Sequence, residues 1–275
     1  AVINGYPFEE SIRSLLPIVD EYIVVVGRGE DETLARVNQI CDPKIRVIET
    51  EWNELMHDRG YVYGQQKMIA QFNCSGDWAF YLEGDEVLHQ DELASIQDAM
   101  RQNLTRKDVE ALYFDFYHFY GTAQQVGIAG YRQAPRVIRN TIRTIAPDGL
   151  FWVVMDKNKR GRYPRARHGG GNIYHYGHCR SVAKMNQKVQ QVGKYWGSDN
   201  QKFDGYGMID LFELRPFFGT HPKVMERWIA NDSELEFSQS QNYRVTRRDI
   251  RNRIRFWLES HFGIEISKKH FIRVD

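Results

Sequence analysis

Cysteine is scarce in this sequence: Cys41, Cys74 and Cys179 lie far apart, and no two form a CxxC pair. A sparse, odd set excludes a disulfide framework and a thiolate zinc site, and reads as the reduced thiols of a cytoplasmic protein. Long apolar runs are also lacking. None approaches the ~20 residues of a membrane-spanning helix, and the N-terminus lacks the basic-then-apolar layout of a secretory signal. The chain is expected to be soluble, or peripheral at the inner face of a membrane. Net charge is nearly absent at +1, so bulk electrostatics give no reason to expect nucleic acid as a partner. No internal repeat or low-complexity stretch interrupts the chain. What is present is a globular composition, 42% hydrophobic and 13% aromatic, which excludes disorder as a global state. A chain of 275 residues can bury one large core or two modest ones.

Local patterning then suggests the fold. Phe8, Ile12, Leu15 and Leu16 have helical spacing that Pro17 ends. Residues 21–26 (EYIVVV) are a β-branched apolar run emptying into Gly27-Arg28-Gly29, as a buried parallel strand does. A helix over 32–40, a strand over 45–48, a helix over 61–72, a strand over 77–82, a helix over 90–100 and a strand over 111–116 follow. This alternation predicts an α/β fold with a mostly parallel sheet flanked by helices. In such sheets ligands bind beyond the carboxyl ends of the strands. The second half is less regular, with extended segments at 135–139, 151–155 and 172–176. Val182, Met185, Val189, Val192 and Trp196 mark one face of a helix. Residues 247–261 form a basic amphipathic helix with Ile250, Ile254, Trp257 and Leu258 on one side. That stripe is expected to meet a core, although its arginines also suit an anionic membrane surface. A soft boundary near 196–207 separates a domain over 1–196 from a helical extension over 197–275.

Chemistry concentrates in Leu82-Glu83-Gly84-Asp85-Glu86. Three carboxylates in four residues repel one another unless a cation or solvent relieves them. Hard oxygens at a strand end suit Mg²⁺ or Mn²⁺ bound partly through a substrate's phosphates. An ordinary acidic turn ahead of the helix near Asp91 is the competing explanation. His175 and His178 offer a second cluster, but in a strand they face opposite sides, so only one reaches a given site.

The segment Arg59-Gly60-Tyr61-Val62-Tyr63-Gly64-Gln65-Gln66-Lys67, the turn Cys74-Ser75-Gly76-Asp77-Trp78 and the strand running into Glu83-Gly84-Asp85-Glu86 resemble the family-2 glycosyltransferases of the GT-A fold. Among these, the bacterial cell-surface polysaccharide and lipopolysaccharide transferases are the nearest in kind. The resemblance implies a nucleotide-diphosphate sugar donor, a hydroxyl-bearing glycan or lipid-linked acceptor, Mn²⁺ or Mg²⁺ as cofactor, and inversion in one displacement. It splits the first domain into a donor half, about 1–105, and an acceptor half, about 106–196. It implies donor contacts from Asp31, Gln65, Gln66, Lys67, Glu83 and Asp85, and a metal held by Glu83, Asp85 and His175. Glu83 stands where the family usually has Asp, and Gly27 stands where it usually has an acidic residue. Asp31 and Thr33 match the segment after it, where a helix N-cap pair would explain them equally. Asp156 is the implied general base, with Asp115 and Asp148 as alternatives, and the basic loop 157–168 follows it. The family's first strand would precede residue 1, so the sheet is expected to start one strand short. Two other functions fit parts of the pattern: a sugar nucleotidyltransferase, and a catalytically inactive protein that binds carbohydrate or nucleotide.

Overall fold

The structure, a computed structural model, describes residues 1–29, 31–197, 202–231, 237–263 and 265–275. The first half contains helix α1 (Phe8–Leu15), strand β1 (Tyr22–Gly27), α2 (Thr33–Asn38), β2 (Ile45–Thr50), α3 (Tyr61–Phe72), β3 (Trp78–Phe80), β4 (Glu86–Val87) and α4 (Leu93–Gln102). Then come β5 (Ala111–Tyr120), β6 (Thr122–Gly127), β7 (Gln133–Arg139), β8 (Thr144–Ile145), β9 (Val153–Met155), β10 (Gly161–Arg162) and β11 (Arg165–His178). The chain ends with α5 (Val182–Gly193), β12 (Leu214–Pro216), α6 (Glu226–Asn231), α7 (Arg247–Phe262) and β13 (Ile272–Arg273).

The expected α/β architecture is present, a central sheet covered by helices, but its strand directions are mixed. The ladders β1–β2, β5–β11 and β11–β13 are parallel. β3 and β5 run antiparallel to β7, β6 runs antiparallel to β5, and β12 to β6. β5 is the axis. One edge pairs with β11 along its length, while the other pairs with β7 over Ala111–Asp115 and with β6 over His118–Tyr120. Its side chains alternate between two buried faces. Leu112, Phe114 and Phe116 pack with Leu88, Ile96, Val137 and Ile173 on one side. Ala111 and Tyr113 pack with Ile138, Trp152 and Phe271 on the other. A strand covered on both faces reads as a continuous apolar run, which is why it was visible in the sequence.

Residues 197–275 were expected to be a helical extension, yet they supply β12 and β13 to the central sheet. The boundary expected near 196–207 falls partly on residues 198–201, outside the described residues. α7 also departs from expectation. It is anchored by the opposite face, which buries Asp249, Asn252 and Phe256, with Asn252 donating to Glu213 and Arg253 paired to Asp210 at 2.6 Å. Its apolar stripe faces outward instead, Ile250, Ile254 and Trp257 being 52%, 56% and 55% exposed. Periodicity defines a face but does not say what covers it.

One buried ion pair fixes the chain where β3 passes to β4. Arg136 on β7 holds Glu86 through two bonds, Nε to Oε2 at 2.7 Å and Nη2 to Oε1 at 2.5 Å, and neither side chain has any exposure. The remaining guanidinium nitrogen donates to the carbonyls of Pro135 and Leu150. Removing one member strands the other charge in the core, whereas removing both does not. Arg136→Met is therefore expected to cost about 3–5 kcal/mol in chemical denaturation. The double variant Arg136→Met/Glu86→Leu should recover much of that loss, and an equal loss in both variants would contradict the pairing.

Candidate active site

The connection from β3 to β4 is an acidic turn held by its backbone. The carbonyl of Glu83 accepts from the Glu86 amide at 3.0 Å and from Ser11 Oγ at 3.0 Å, and the carbonyl of Asp85 accepts from the Tyr176 amide at 2.8 Å. Glu83 and Asp85 open into a cavity of about 1630 Å³. That is larger than the few hundred Å³ of a usual ligand site, for a topological reason. Among the described residues β1 pairs only with β2, and β3 only with β7. The free edges of β1 and β3 both line the cavity, so a slot between sheet edges adjoins the acidic turn.

Around Asp85 the charges are dense. Its Oδ2 lies 3.3 Å from Lys188 Nζ and 3.8 Å from Arg180 Nη2, and its Oδ1 lies 3.6 Å from His175 Nε2. Burial alone would favour the protonated acid, but Lys188, His175 and Arg180 reverse that and hold Asp85 well below the ordinary carboxylate range. The backbone must pass close here. A Cβ on Gly177 would lie 2.5 Å from His175 Nε2 and 3.0 Å from Asp85 Oδ2. His175 is oriented from behind, its Nδ1 lying 2.8 Å from Nδ1 of His118, whose Nε2 lies 2.7 Å from the Tyr131 carbonyl. A carbonyl only accepts, so the His118 proton is assigned to Nε2. Burial and the neighbouring His175 keep His118 neutral, and His175 Nδ1 is then the donor of the pair.

Glu83 differs from its neighbours. Burial and repulsion by Glu86, against the attraction of Arg136 3.7 Å away, push its pKa up to about 7. Its side chain is still 36% exposed, toward the cavity. Lys67, on the buried side of α3, donates to the Gly149 carbonyl at 3.1 Å and sits 3.5 Å over the Trp152 ring and 4.3 Å over Tyr81. Burial and the Arg136 charge hold its pKa well below the usual lysine value.

The expected site residues divide into two groups. Asp31, Gln66, Lys67, Glu83, Asp85 and His175 all line the cavity. Asp31 is occupied, accepting from the Thr33 amide at 3.2 Å and the Ile3 amide at 3.2 Å and pairing with the Ala1 amine at 2.9 Å. Gln66 is bonded to Thr50 at 2.6 Å. Gln65 is on the exposed side of α3 and does not line the cavity.

None of the three carboxylates expected as base lines the cavity. Asp156 closes the β9–β10 hairpin, its Oδ1 accepting from the amides of Asn158 and Arg160 at 2.8 Å each. Asp115 is paired to His168 at 2.9 Å and accepts from Gln133 at 2.7 Å. Asp148 accepts from the amides of Leu150 and Phe151 in its own loop. Each is used locally, which removes Asp156 and Asp115 from the site and leaves Asp148 behind the wall formed by Gly149 and Leu150.

The expected metal ligands do not fit a divalent ion as placed. Among the described residues no three His, Cys, Asp or Glu side chains converge on one point. Glu86 is committed to Arg136, and Glu83 leans toward the same guanidinium. A dication between Asp85 and His175 would stand near Lys188 and Arg180, both within 4 Å of the same carboxylate. Like charge beside the same carboxylate opposes binding of a dication there.

Lys188, Arg180, His118 and Arg136 were not singled out from the sequence, because nothing in their spacing points to Asp85 or Glu86. An aromatic group was also missed. Trp52, Tyr63, Tyr195 and Trp196 line the cavity beyond β1, with Trp52 edge-on to Tyr63 and Tyr195 at 5.4 Å each. The Trp52 indole also explains Gly27, since a Cβ there would lie 2.5 Å from its Nε1.

No protein-family model matches this chain, and no curated protein matches it. A solved structure of S. aureus TarS, residues 1–349, shares 11% identity with a TM-score of 0.38, over 72% of this chain and 64% of that one. At that depth the likeness bears on neither the activity nor the residues of the site.

The Glu83 shift has a consequence for stability. A carboxylate whose pKa is raised on folding contributes stability below its unfolded value of about 4.5, and that contribution is lost as pH rises through about 7. Glu83→Gln should therefore be more stable than the parent above pH 7, with the gain shrinking toward pH 5. Allowing for screening at a site about one-third exposed, the gain at pH 8 is ~1 kcal/mol, a rise in Tm of about 2–4 °C. Thermal denaturation across this range checks it; a pH-independent difference would contradict it.

Proposed function

We propose that this protein is a glycosyltransferase, moving a sugar from a nucleotide-diphosphate donor to a hydroxyl on a glycan or lipid-linked acceptor. The observation that carries the reading is the acidic turn. The Glu-Gly-Asp-Glu motif, with the preceding helix and turn that resemble family-2 transferases, lies where β3 ends and opens into the large cavity. Carboxylates, an oriented histidine and fixed cations meet there.

In the reaction the acceptor oxygen attacks the anomeric carbon as the bond from that carbon to the donor phosphate oxygen breaks. The bonding pair leaves on the diphosphate, and the acceptor proton passes to a base. Inversion follows from a single displacement. Glu83 is assigned as that base in place of Asp156, since its pKa of about 7 suits proton transfer near neutrality and its carboxylate reaches the cavity. Positive charge beside the leaving group stabilises the transition state where negative charge develops.

A second reading, a protein that binds nucleotide or carbohydrate without turnover, is favoured by Trp52. Its indole packs over Gly27, where the family pattern has a carboxylate. Incubation with UDP-, GDP- and dTDP-sugars separates the two. Release of nucleoside diphosphate from at least one donor is expected, with an acid limb in kcat/KM near pH 7 and a ~100-fold or greater loss in Glu83→Gln. Binding without release would support the second reading. Neither binding nor release with any donor would contradict both.

The outward stripe of α7 is assigned to contact with an anionic membrane surface, which suits a lipid-linked acceptor. Ile250, Ile254 and Trp257 are flanked by Arg247 and Arg251, for which no acidic partner lies within 4 Å among the described residues. No helix among those residues is long and apolar enough to cross a membrane. Sedimentation with phosphatidylglycerol vesicles should capture the protein, and Ile254→Asp should release it. Equal partition of the two forms would contradict the assignment.

A further inference from the structure

We propose that Lys188, backed by Arg180, takes the charge of the leaving diphosphate in the place a divalent metal would occupy, so that donor binds without metal. This rests on the glycosyltransferase reading for the identity of the anion. The anion site itself rests on geometry.

Lys188 lines the cavity from α5. Its ammonium donates to the Gly177 carbonyl at 3.0 Å and to Asp85 Oδ2 at 3.3 Å, and an ammonium has three protons to give. Behind it Arg180 is fully buried, with Nη1 donating to the Asn4 carbonyl, Nη2 3.8 Å from Asp85 Oδ2, and Nε and Nη2 finding no hydrogen-bond acceptor among the described residues. Both cations lie beside the ring of Tyr6, at 4.6 Å for Arg180 and 5.0 Å for Lys188. Asp85 thus carries one negative charge against two positive ones. The excess is what an arriving diphosphate would neutralise, and a dication would enlarge it. Gly177 lets its carbonyl reach Lys188 with the backbone packed against His175 and Asp85, since any side chain there would collide with both.

In this arrangement Asp85 is the counter-ion that holds Lys188 and Arg180 in place, where a metal site would make it a ligand. As the bond from the anomeric carbon to the donor phosphate oxygen breaks, its electron pair settles on that oxygen. The Lys188 ammonium then donates a hydrogen bond to the diphosphate without giving up its proton.

The two roles of Asp85 predict opposite outcomes when its charge is removed. The test is calorimetric titration of the whole chain with inorganic pyrophosphate and with UDP and GDP, in EDTA and then in Mn²⁺. Binding is expected in EDTA, changed less than twofold by Mn²⁺, weakened at least tenfold in Lys188→Gln and retained in Lys188→Arg. Asp85→Asn should bind pyrophosphate in EDTA as tightly as the parent or more tightly. Should that variant fail to fold by circular dichroism, the Lys188 pair decides alone. Binding that appears only with Mn²⁺, or that Lys188→Gln leaves intact, would overturn the inference while leaving glycosyl transfer standing. Pyrophosphate binding in EDTA without binding of either nucleotide would keep the anion site and remove the nucleotide donor. No binding of any probe would overturn both.

Discussion

The buried pair of Glu86 and Arg136 is the constraint on which the site depends. The chain leaves β3 at one side of β5 and joins β11 on the other, so the acidic turn must cross the sheet. Arg136 reaches up from β7 to hold that crossing at Glu86, and the same guanidinium lies close enough to Glu83 to act on its titration. Two carboxylates three positions apart are thereby given different tasks. Glu86 is paired, dry and structural, while Glu83 faces the cavity with a pKa near neutrality. Environment separates their roles, as it does for paired carboxylates generally.

Asp85, between them, is governed by the other side of the sheet. Tyr176 fixes its backbone, and Lys188 and Arg180 from the chain after β11 fix its side chain. The acidic motif is therefore balanced by three cations drawn from β7, α5 and the loop before α5. A cluster that looks in sequence as though it requires a metal finds its counter-charges, once folded, in the protein's own cations. The same packing orients His175 through His118, placing its ring beside the carboxylate.

How much of this was legible follows from the kind of signal each feature leaves. Residues 21–26 and 61–72 carry local patterns, a β-branched run and helical periodicity, and fold close to the reading, while the strand expected over 77–82 is confined to Trp78–Phe80. β11 was read as five residues but has fourteen. Its glycines 169–171 form an irregularity in the ladder where Gly170 passes against Ser95 of α4. β6, with sequence TAQQVG, has too little apolar content to announce itself and is placed by its partner β5. The outward stripe of α7 was misread because an amphipathic pattern carries no information about its neighbour. Asp156 followed the resemblance, although Asp-Lys-Asn-Lys-Arg-Gly is a turn sequence in which an Asp satisfies its own backbone. Lys188, Arg180 and His118 left no local trace, since their significance lies in contacts across 57 to 103 residues of chain.

The central claim is that fixed cations of the protein, held by the acidic turn, receive a nucleotide's diphosphate. A crystal structure with nucleoside diphosphate bound in the presence of chelator tests it most directly. A phosphate oxygen is expected within hydrogen-bond reach of Lys188 Nζ, with Asp85 still paired to that lysine. A diphosphate seated elsewhere, or one bound only when a metal bridges it to Asp85 and His175, would contradict it.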